Sequence, residues 1–228
     1  MSLKMGWFGR ASCAAGMTML ALAVGTARAA VALHQTDNFQ DGTVMNWGGG
    51  DVVSNVSTGG PSGAGDGYLQ IVSKGGFSAG SKLAADNSVQ WFGNYQAAGV
   101  NELTVDLLSP ASNGINLPIR VVIFGPTGGR LTSTTPFLLP DDGAWHHAVF
   151  PIGPSDLVNV SGTDTYSSAI AGVSNLMLRY DDSPPSPGGT TFAGTLGLDN
   201  ITAASVPEPS TLGLLAALPL LLRRARRA

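Results

Sequence analysis

The amino-acid sequence predicts an all-β protein, a jelly-roll-type β-sandwich flanked by an N-terminal signal helix and a short C-terminal hydrophobic helix. Three observations favour this fold class. Apolar and polar residues alternate in short segments, clusters of Gly, Pro, Asn and Asp separate these segments, and the helix-forming residues Glu and Lys are scarce. This is the composition and patterning of a protein built from strands and turns.

The clearest strand is predicted at residues 102–107, where Leu103, Val105 and Leu107 face the core and the residues between them face water. Residues 118–124 are almost continuously apolar, which is typical of a strand buried on both faces. Further strands are predicted at residues 67–73, 145–152, 175–180 and 195–202. Loops are predicted at residues 57–66 and 183–189, where Gly and Pro gather, and a helical turn near residues 155–160.

The N-terminal 29 residues have the organisation of a signal peptide. Lys4 and Arg10 precede an uncharged and mostly apolar run at residues 11–27, which ends in the small residues Ala27 and Ala29. The alternative, a retained membrane helix, is less consistent with this ending and with the roughly 20 apolar residues that a membrane span needs. We therefore expect signal peptidase to remove residues 1–29. The only cysteine, Cys13, lies in this segment, so disulfides and thiol chemistry are not expected after cleavage.

The C-terminal residues 206–228 combine a short motif, an apolar run at residues 212–222 and a basic end. The motif is Val206, Pro207, Glu208 and Pro209, and the basic end contains Arg223, Arg224, Arg226 and Arg227. This order resembles the PEP-CTERM sorting signal. The resemblance implies that an exosortase, a membrane protease, reads the Pro-Glu-Pro motif while the basic end stays on the cytoplasmic side.

Physical chemistry agrees with that division of roles. Prolines keep the motif extended, and the arginines resist translocation. As a helix rising about 1.5 Å per residue, the apolar run is too short for a hydrocarbon layer of about 30 Å. We therefore expect a transient insertion into the inner membrane, followed by display at the cell surface or release. The alternative is a basic amphipathic tail that touches membrane or nucleic acid.

Residues 30–205 form the predicted β-sandwich domain, and this body is acidic. It contains fourteen acidic and five basic residues, a net charge of −9 when the histidines are neutral. Such a balance argues against nucleic-acid binding, which requires clustered cations. It also makes calcium a candidate partner.

Four short segments of the body resemble carbohydrate-binding-module and laminin-like jelly rolls. They lie at residues 37–43, 91–95, 143–145 and 198–201. The resemblance implies that the first and last strands pair and that a structural calcium ion lies near that pair. Asp37 and Asp199 are then the candidate ligands, with backbone carbonyls completing the shell. The alternative for Asp199 is a role at the end of a strand.

Aromatic side chains are the best sequence indication of a ligand. Trp47, Trp91 and Tyr95 lie in Gly- and Asn-rich surroundings, where an exposed ring could stack on a pyranose. They are the candidate glycan-binding residues, and packing in the core is the alternative for each.

No catalytic motif accompanies these aromatics. Glu102 and Asp106 share a strand face but lie about 13 Å apart, too far for either glycosidase geometry. The adjacent His146 and His147 point to opposite faces of a strand. We therefore expect a non-catalytic glycan-binding or structural module associated with exopolysaccharide. An extracellular polysaccharide-active enzyme and a protein-binding adhesin are the alternatives.

Overall fold

The computed structural model describes residues 30–78 and 81–206. The predicted signal peptide, the apolar run and the four C-terminal arginines lie outside the described residues. Of the sorting motif, only Val206 lies inside them. No helix within the described ranges is long and apolar enough to cross a membrane.

The described residues form an all-β sandwich, which confirms the predicted fold class. Twelve strands occur in them: β1 (Thr36–Asp37), β2 (Val52–Val56), β3 (Tyr68–Lys74), β4 (Ala84–Asn87), β5 (Glu102–Leu108), β6 (Leu117–Phe124), β7 (Arg130–Ser133), β8 (Phe137–Leu139), β9 (Trp145–Pro151), β10 (Leu157–Ser161), β11 (Asn175–Tyr180) and β12 (Ala193–Ala204). Two short helices, α1 (Tyr95–Ala98) and α2 (Tyr166–Ala171), complete the elements of the same residues.

The strands divide into two antiparallel sheets. The first sheet has the order β2-β3-β12-β5-β9, and β1 also pairs with β12. The first and last strands therefore lie side by side, with Asp37 opposite Ile201. The second sheet has the order β10-β7-β6-β11-β4, and β8 also pairs with β6. Because neighbours in both sheets are often distant in sequence, the sandwich is held by long-range pairing.

The core lies between the two sheets and follows the predicted alternation. In β5, Leu103, Val105 and Leu107 are buried, whereas the residues between them are partly exposed. The central strand β6 is buried on both faces over residues 119–123, as its continuous apolar sequence predicts. Each buried aliphatic side chain of this kind contributes about 1.5–3 kcal/mol. Packing of one continuous apolar cluster therefore holds the two sheets together.

The turn predicted near residues 155–160 is confirmed only at its start, where Asp156 N donates to Gly153 O at 3.0 Å. Residues 157–161 form the edge strand β10, in which Leu157 pairs with Ser133 and Val158 with Thr132 of β7. Pairing with a neighbouring strand outweighs the weak local preference for a turn. The observed helices begin instead at side-chain caps: the Asn94 side chain accepts from Ala97 N, and that of Thr165 from Ser168 N.

Candidate binding groove on the second sheet

The three aromatic residues predicted to bind glycan lie in the core. Trp91 and Tyr95 are 0% exposed and Trp47 is 2% exposed. The prediction that these rings are exposed is therefore wrong, and the alternative of core packing applies to all three. Their Gly- and Asn-rich neighbours form turns, as the positive φ values of Asn46, Gly49 and Gly93 show, and the rings themselves are buried. The Tyr95 hydroxyl, for example, donates to the Trp91 carbonyl at 2.9 Å.

The Asp37 carboxylate holds two of these rings in place. Its Oδ2 atom accepts from Trp47 Nε1 at 2.8 Å, from Trp91 Nε1 at 2.7 Å and from Gln90 Nε2 at 3.0 Å. Asp37 itself is only 3% exposed. A buried carboxylate needs such donors to offset the loss of its hydration. In this structure Asp37 therefore joins β1 to the two tryptophans.

Asp199 faces the other side of the first sheet. Leu198 points into the core, and its neighbour Asp199 lies in register with Asp106 on the outer face. A bulge between Asp199 and Thr202, with Asn200 at a positive φ of 49°, then returns Ile201 to the core side, where Asp37 pairs with it. Asp37 and Asp199 thus lie near one another in the pairing pattern but on opposite faces.

The opposite orientation overturns the predicted calcium site formed jointly by Asp37 and Asp199, because their carboxylates do not face one ion. Within residues 30–78 and 81–206, no group of three or more His, Cys, Asp or Glu residues is arranged to hold a metal. Calcium binding through other ligands stays a prediction. A melting temperature that a chelator leaves unchanged would count against it.

Asp199 is nevertheless an unusual carboxyl group. It is fully buried, its Oδ1 accepts from Asn200 N at 2.7 Å, and its Oδ2 has no hydrogen-bond partner. Burial, and secondarily the nearby Asp66 and Asp106 carboxylates, raise the pKa of Asp199 to about 7. The group is thus largely protonated in mildly acidic solution.

A groove of about 530 Å³ crosses the outer face of the second sheet. This volume is within the range of about 300–1,000 Å³ that is usual for ligand sites. The groove lies over β4, β6, β7 and β11, between the loop that follows β3 and the loop that follows β11. It is lined by Gly49, Phe77, Lys82, Ala84, Asp86, Phe124, Arg130, Asn175, Met177, Arg179 and Gly188.

Strand alternation and register explain how these residues meet. In β11, Leu176 and Leu178 enter the core, so Asn175, Met177 and Arg179 point outward. Pairing then aligns the outward residues of adjacent strands into rows. One row joins Arg130, Phe124 and Asn175, a second contains Met177 and Asp86, and a third contains Arg179 and Ala84.

Two polar atoms of the groove lack partners. Asn175 donates from Nδ2 to Asp86 Oδ2 at 3.2 Å, but its Oδ1 atom is buried without a donor. Arg179 is 3% exposed, and its Nε–H has no acceptor. Leaving a buried polar group unsatisfied costs about 1–3 kcal/mol. Both atoms are buried, so they are not open to a ligand in the groove.

The wall formed by the loop after β11 is fixed by buried charges. Arg179 Nη2 pairs with Asp181 Oδ2 at 2.9 Å, and Asp181 Oδ1 accepts from Ser186 Oγ at 2.8 Å. Arg120 is also buried, and its Nη2 donates to Ser183 Oγ at 2.8 Å. The Pro-rich loop predicted at residues 183–189 is therefore tied to the sheet at several points.

Phe77, and none of the three predicted rings, is the exposed aromatic residue of the groove. It lies in the loop after β3, lines the groove and is 91% exposed. The sequence does indicate this exposure, because a phenylalanine that follows Gly75 and Gly76 in a loop has few neighbouring side chains to pack against. The other groove residues come from separate strands and carry no common motif.

The other candidate regions are less suited to a ligand. A second cavity, at residues 133–137 and 149–151 with Asp156, measures about 280 Å³. That volume is below the usual range for ligand sites. On the outer face of the first sheet, His147 Nδ1 lies 2.8 Å from Asp106 Oδ1. The neighbouring Asp199 carboxyl group is buried, whereas the His147 side chain is exposed.

Comparisons with known proteins concern the fold. No protein-family profile and no curated protein sequence matches the chain. Among solved structures, an exo-β-agarase superposes with a TM-score of 0.52 at 14% identity, over 78% of this chain and 26% of the agarase. The chain thus spans about a quarter of that enzyme's length.

Other similar structures are carbohydrate-binding modules. CtCBM11 has a TM-score of 0.48 at 17% identity and covers 78% of this chain and 98% of its own. The CBM22-1 xylan-binding domain from Paenibacillus barcinonensis has a TM-score of 0.44 at 12% identity, covering 78% and 99%. At these identities the likeness is one of fold.

Proposed function

We propose that the chain is an exported, non-catalytic glycan-binding module whose ligand lies in the groove of the second sheet. One observation carries the proposal: a groove of ligand size combines an exposed aromatic ring with a lining of charged and amide side chains.

The groove has the chemistry that a saccharide needs. The Phe77 ring offers a flat apolar surface, and Phe124 and Met177 continue it across the sheet. Sugar hydroxyls both donate and accept, so they suit the amide, carboxylate and cationic side chains that line the same groove. Two lining residues of β11, Asn175 and Arg179, are four positions apart, about 13 Å along a strand, a distance that a short oligosaccharide spans.

Substitution Phe77→Ala tests the proposal. Loss of the ring should weaken polysaccharide binding about 5-fold or more, equivalent to about 1 kcal/mol. The melting temperature should not change, because the side chain is 91% exposed. Isothermal titration or affinity electrophoresis measures the binding.

Leu138→Ala is the matched control, since Leu138 is also an exposed apolar residue, at 59%, but does not line the groove. Equal binding by the wild type and the Phe77→Ala variant would contradict the proposed site. Failure of the wild type to retain any neutral or acidic polysaccharide would contradict glycan binding itself.

The non-catalytic part of the proposal predicts that the chain releases no reducing ends from the polysaccharide that it binds. A hydrolase is the second candidate function, and the hydrogen bond between His147 and Asp106 is the observation that favours it. Release of reducing ends by the wild type, and its loss in His147→Ala, would replace the first proposal with the second.

We also propose that the sorting tail makes the chain an exosortase substrate, displayed at the cell surface or released after transient insertion in the inner membrane. The order of motif, apolar run and basic end supports this. In a host that contains an exosortase, Glu208→Ala should leave the uncleaved chain in the membrane fraction. Glu102→Ala, which lies in the body, should be processed normally.

A further inference from the structure

The few cations of the body are concentrated at the groove. Of the five basic residues between positions 30 and 205, Lys82, Arg130 and Arg179 line it, and Arg120 lies buried beside its wall. The fifth is Lys74, which is exposed and outside the lining. The lining also contains one carboxylate, Asp86, so three cations against one anion reverse the charge locally in a body of net charge −9.

The three cations of the groove converge on backbone carbonyls of one loop. Lys82 Nζ donates to Gly189 O at 2.9 Å, Arg130 Nη1 to Pro187 O at 2.8 Å and Arg179 Nη1 to Pro187 O at 3.3 Å. These carbonyls satisfy hydrogen bonds but bring no negative charge. Only Arg179 has an ion pair, with Asp181. Lys82 and Arg130 therefore lie side by side without a carboxylate partner in the described residues.

Burial and the neighbouring cations both affect the pKa of Lys82. Partial burial, then the neighbouring charge of Arg179, lowers the pKa of its ammonium group, and Arg130 adds to the effect although Asp181 opposes it. An anion in the groove would relieve this repulsion. Arg130 has further guanidinium N–H groups besides the one that donates to Pro187 O. Its Cζ atom lies 5.2 Å from the centre of the Phe124 ring.

We infer that the groove selects an anionic polysaccharide, whose sugar carboxylates are bound by Arg130 and Lys82 while its rings contact Phe77. The inference rests on the proposed glycan-binding function and names the class of glycan. The guanidinium fork of Arg130 suits a planar carboxylate. A sulfate ester would meet the same charges, so the test must separate the two anions.

The test compares one polymer in two charge states. Polygalacturonate, alginate and hyaluronate are each presented to the purified full-length chain, together with the same polymers after their carboxyl groups are reduced to alcohols. The chain should bind at least one native polymer ten-fold or more tightly than its reduced form, with affinity falling as salt rises. A sulfated neutral polysaccharide is the arm that identifies sulfate recognition.

Variants locate the charge effect. Lys82→Gln and Arg130→Gln should each weaken binding to the acidic polymer by about 5-fold or more and should weaken binding to the reduced polymer much less. Lys74→Gln, a lysine outside the groove, should bind as the wild type does. Arg179 is not substituted, because it is buried and its ion pair fixes the loop. Melting temperatures verify that the variants fold.

The outcomes separate the two proposals. Equal or tighter binding of the reduced polymers, or preference for the sulfated one, overturns the carboxylate inference and leaves glycan binding intact. Weakened binding in Lys74→Gln as large as in Arg130→Gln means non-specific attraction and also overturns it. No binding to any acidic, reduced or neutral polymer overturns the proposed function as well.

Discussion

At the scale of single residues, two carboxyl groups near the paired first and last strands are buried in different ways, one with several hydrogen-bond donors and one with few. Asp37 is buried among N–H donors, three of which reach one oxygen. Asp199 is buried with one oxygen unpartnered, and its pKa rises to about 7. The sequence shows two similar aspartates, but only the bulge at Asn200 reveals that they face different environments.

Substitution Asp37→Ala should strongly destabilise the fold. It leaves the indole N–H groups of Trp47 and Trp91 buried without an acceptor, at about 1–3 kcal/mol each. The free energy of unfolding should therefore fall by about 2–5 kcal/mol, measured by urea unfolding with tryptophan fluorescence. Asp41→Ala, which changes an exposed aspartate, is the control. A loss below about 1 kcal/mol for Asp37→Ala would mean that packing alone holds the rings.

Asp199 should make stability depend on pH. Its folded pKa, about 7, is above the unfolded value of 3.8, so the folded state holds the proton between these values. The corresponding stability is present below about pH 4 and is lost as pH rises through about 7. At about 1.4 kcal/mol per pKa unit, the loss amounts to about 3–5 kcal/mol.

The neutral isostere Asp199→Asn isolates this contribution. The variant should be more stable than the wild type at pH 8, and the difference should shrink as pH falls toward 4. Thermal melts at several pH values measure it, and Asp182→Asn, on the exposed surface, is the control. A stability difference that is the same at every pH would contradict the shifted pKa.

At the scale of elements, the groove depends on a backbone that approaches β4 closely. Gly48 and Asp86 exchange backbone hydrogen bonds of 2.8 and 3.0 Å, which extends the second sheet beyond its edge strand. Gly49 follows with φ of +110°, and a Cβ atom there would lie 2.1 Å from the Ala84 carbonyl oxygen. Only glycine fits this position. Gly49 and Ala84 both line the groove, so their close approach shapes it.

Gly49→Ala should therefore lower stability by about 2–4 kcal/mol, the sum of backbone strain and steric overlap. Gly42→Ala is a matched control, because Gly42 also has a positive φ, +76°, but its Cβ would meet nothing within 4 Å. The difference between the two variants in urea unfolding gives the contribution of the close approach. Equal losses would show that φ alone sets the penalty.

The elements also show what the sequence could and could not predict. Alternation predicts β5 well, because Leu103, Val105 and Leu107 each face the core as expected. The groove has no such pattern: Asp86, Arg130 and Asn175 come from three strands that only long-range pairing brings together. Residues near Gly and Asn were expected to be exposed, yet Trp91 is buried because the loop folds over it.

At the scale of the whole molecule, the cations of the groove and a cluster of carboxyl groups lie on opposite outer faces of the sandwich. Asp66, Asp106 and Asp199 interact on the outer face of the first sheet, whereas Lys82, Arg130 and Arg179 gather on that of the second. The core between the sheets keeps these faces apart. If the groove binds an acidic polymer, its cations attract the polymer while Asp66 and Asp106 repel it from the opposite face, which would orient the ligand without a strongly basic protein.

The sandwich should fold without its two ends, whereas removal of a few more residues at the N-terminal side should lower its stability. Near the two ends of the described residues, Val31 is 6% exposed and donates to Phe92 O at 2.9 Å, and Val206 donates to Asn101 Oδ1 at 2.7 Å. A chain of residues 30–206 should therefore unfold in one cooperative transition and bind polysaccharide as tightly as the full chain.

A chain of residues 38–206 also lacks residues 30–37, which include β1 with its Asp37 and the buried Val31. It loses the edge pairing with β12 and the acceptor of Trp47 and Trp91, so its melting temperature should fall by about 5–20 °C, as expected for several kcal/mol in a domain of this size. The groove lies on the other sheet, so affinity measured below the new melting temperature should be retained. Equal melting temperatures would show that the first strand is dispensable, and lost affinity in the folded short chain would show that the two sheets are coupled.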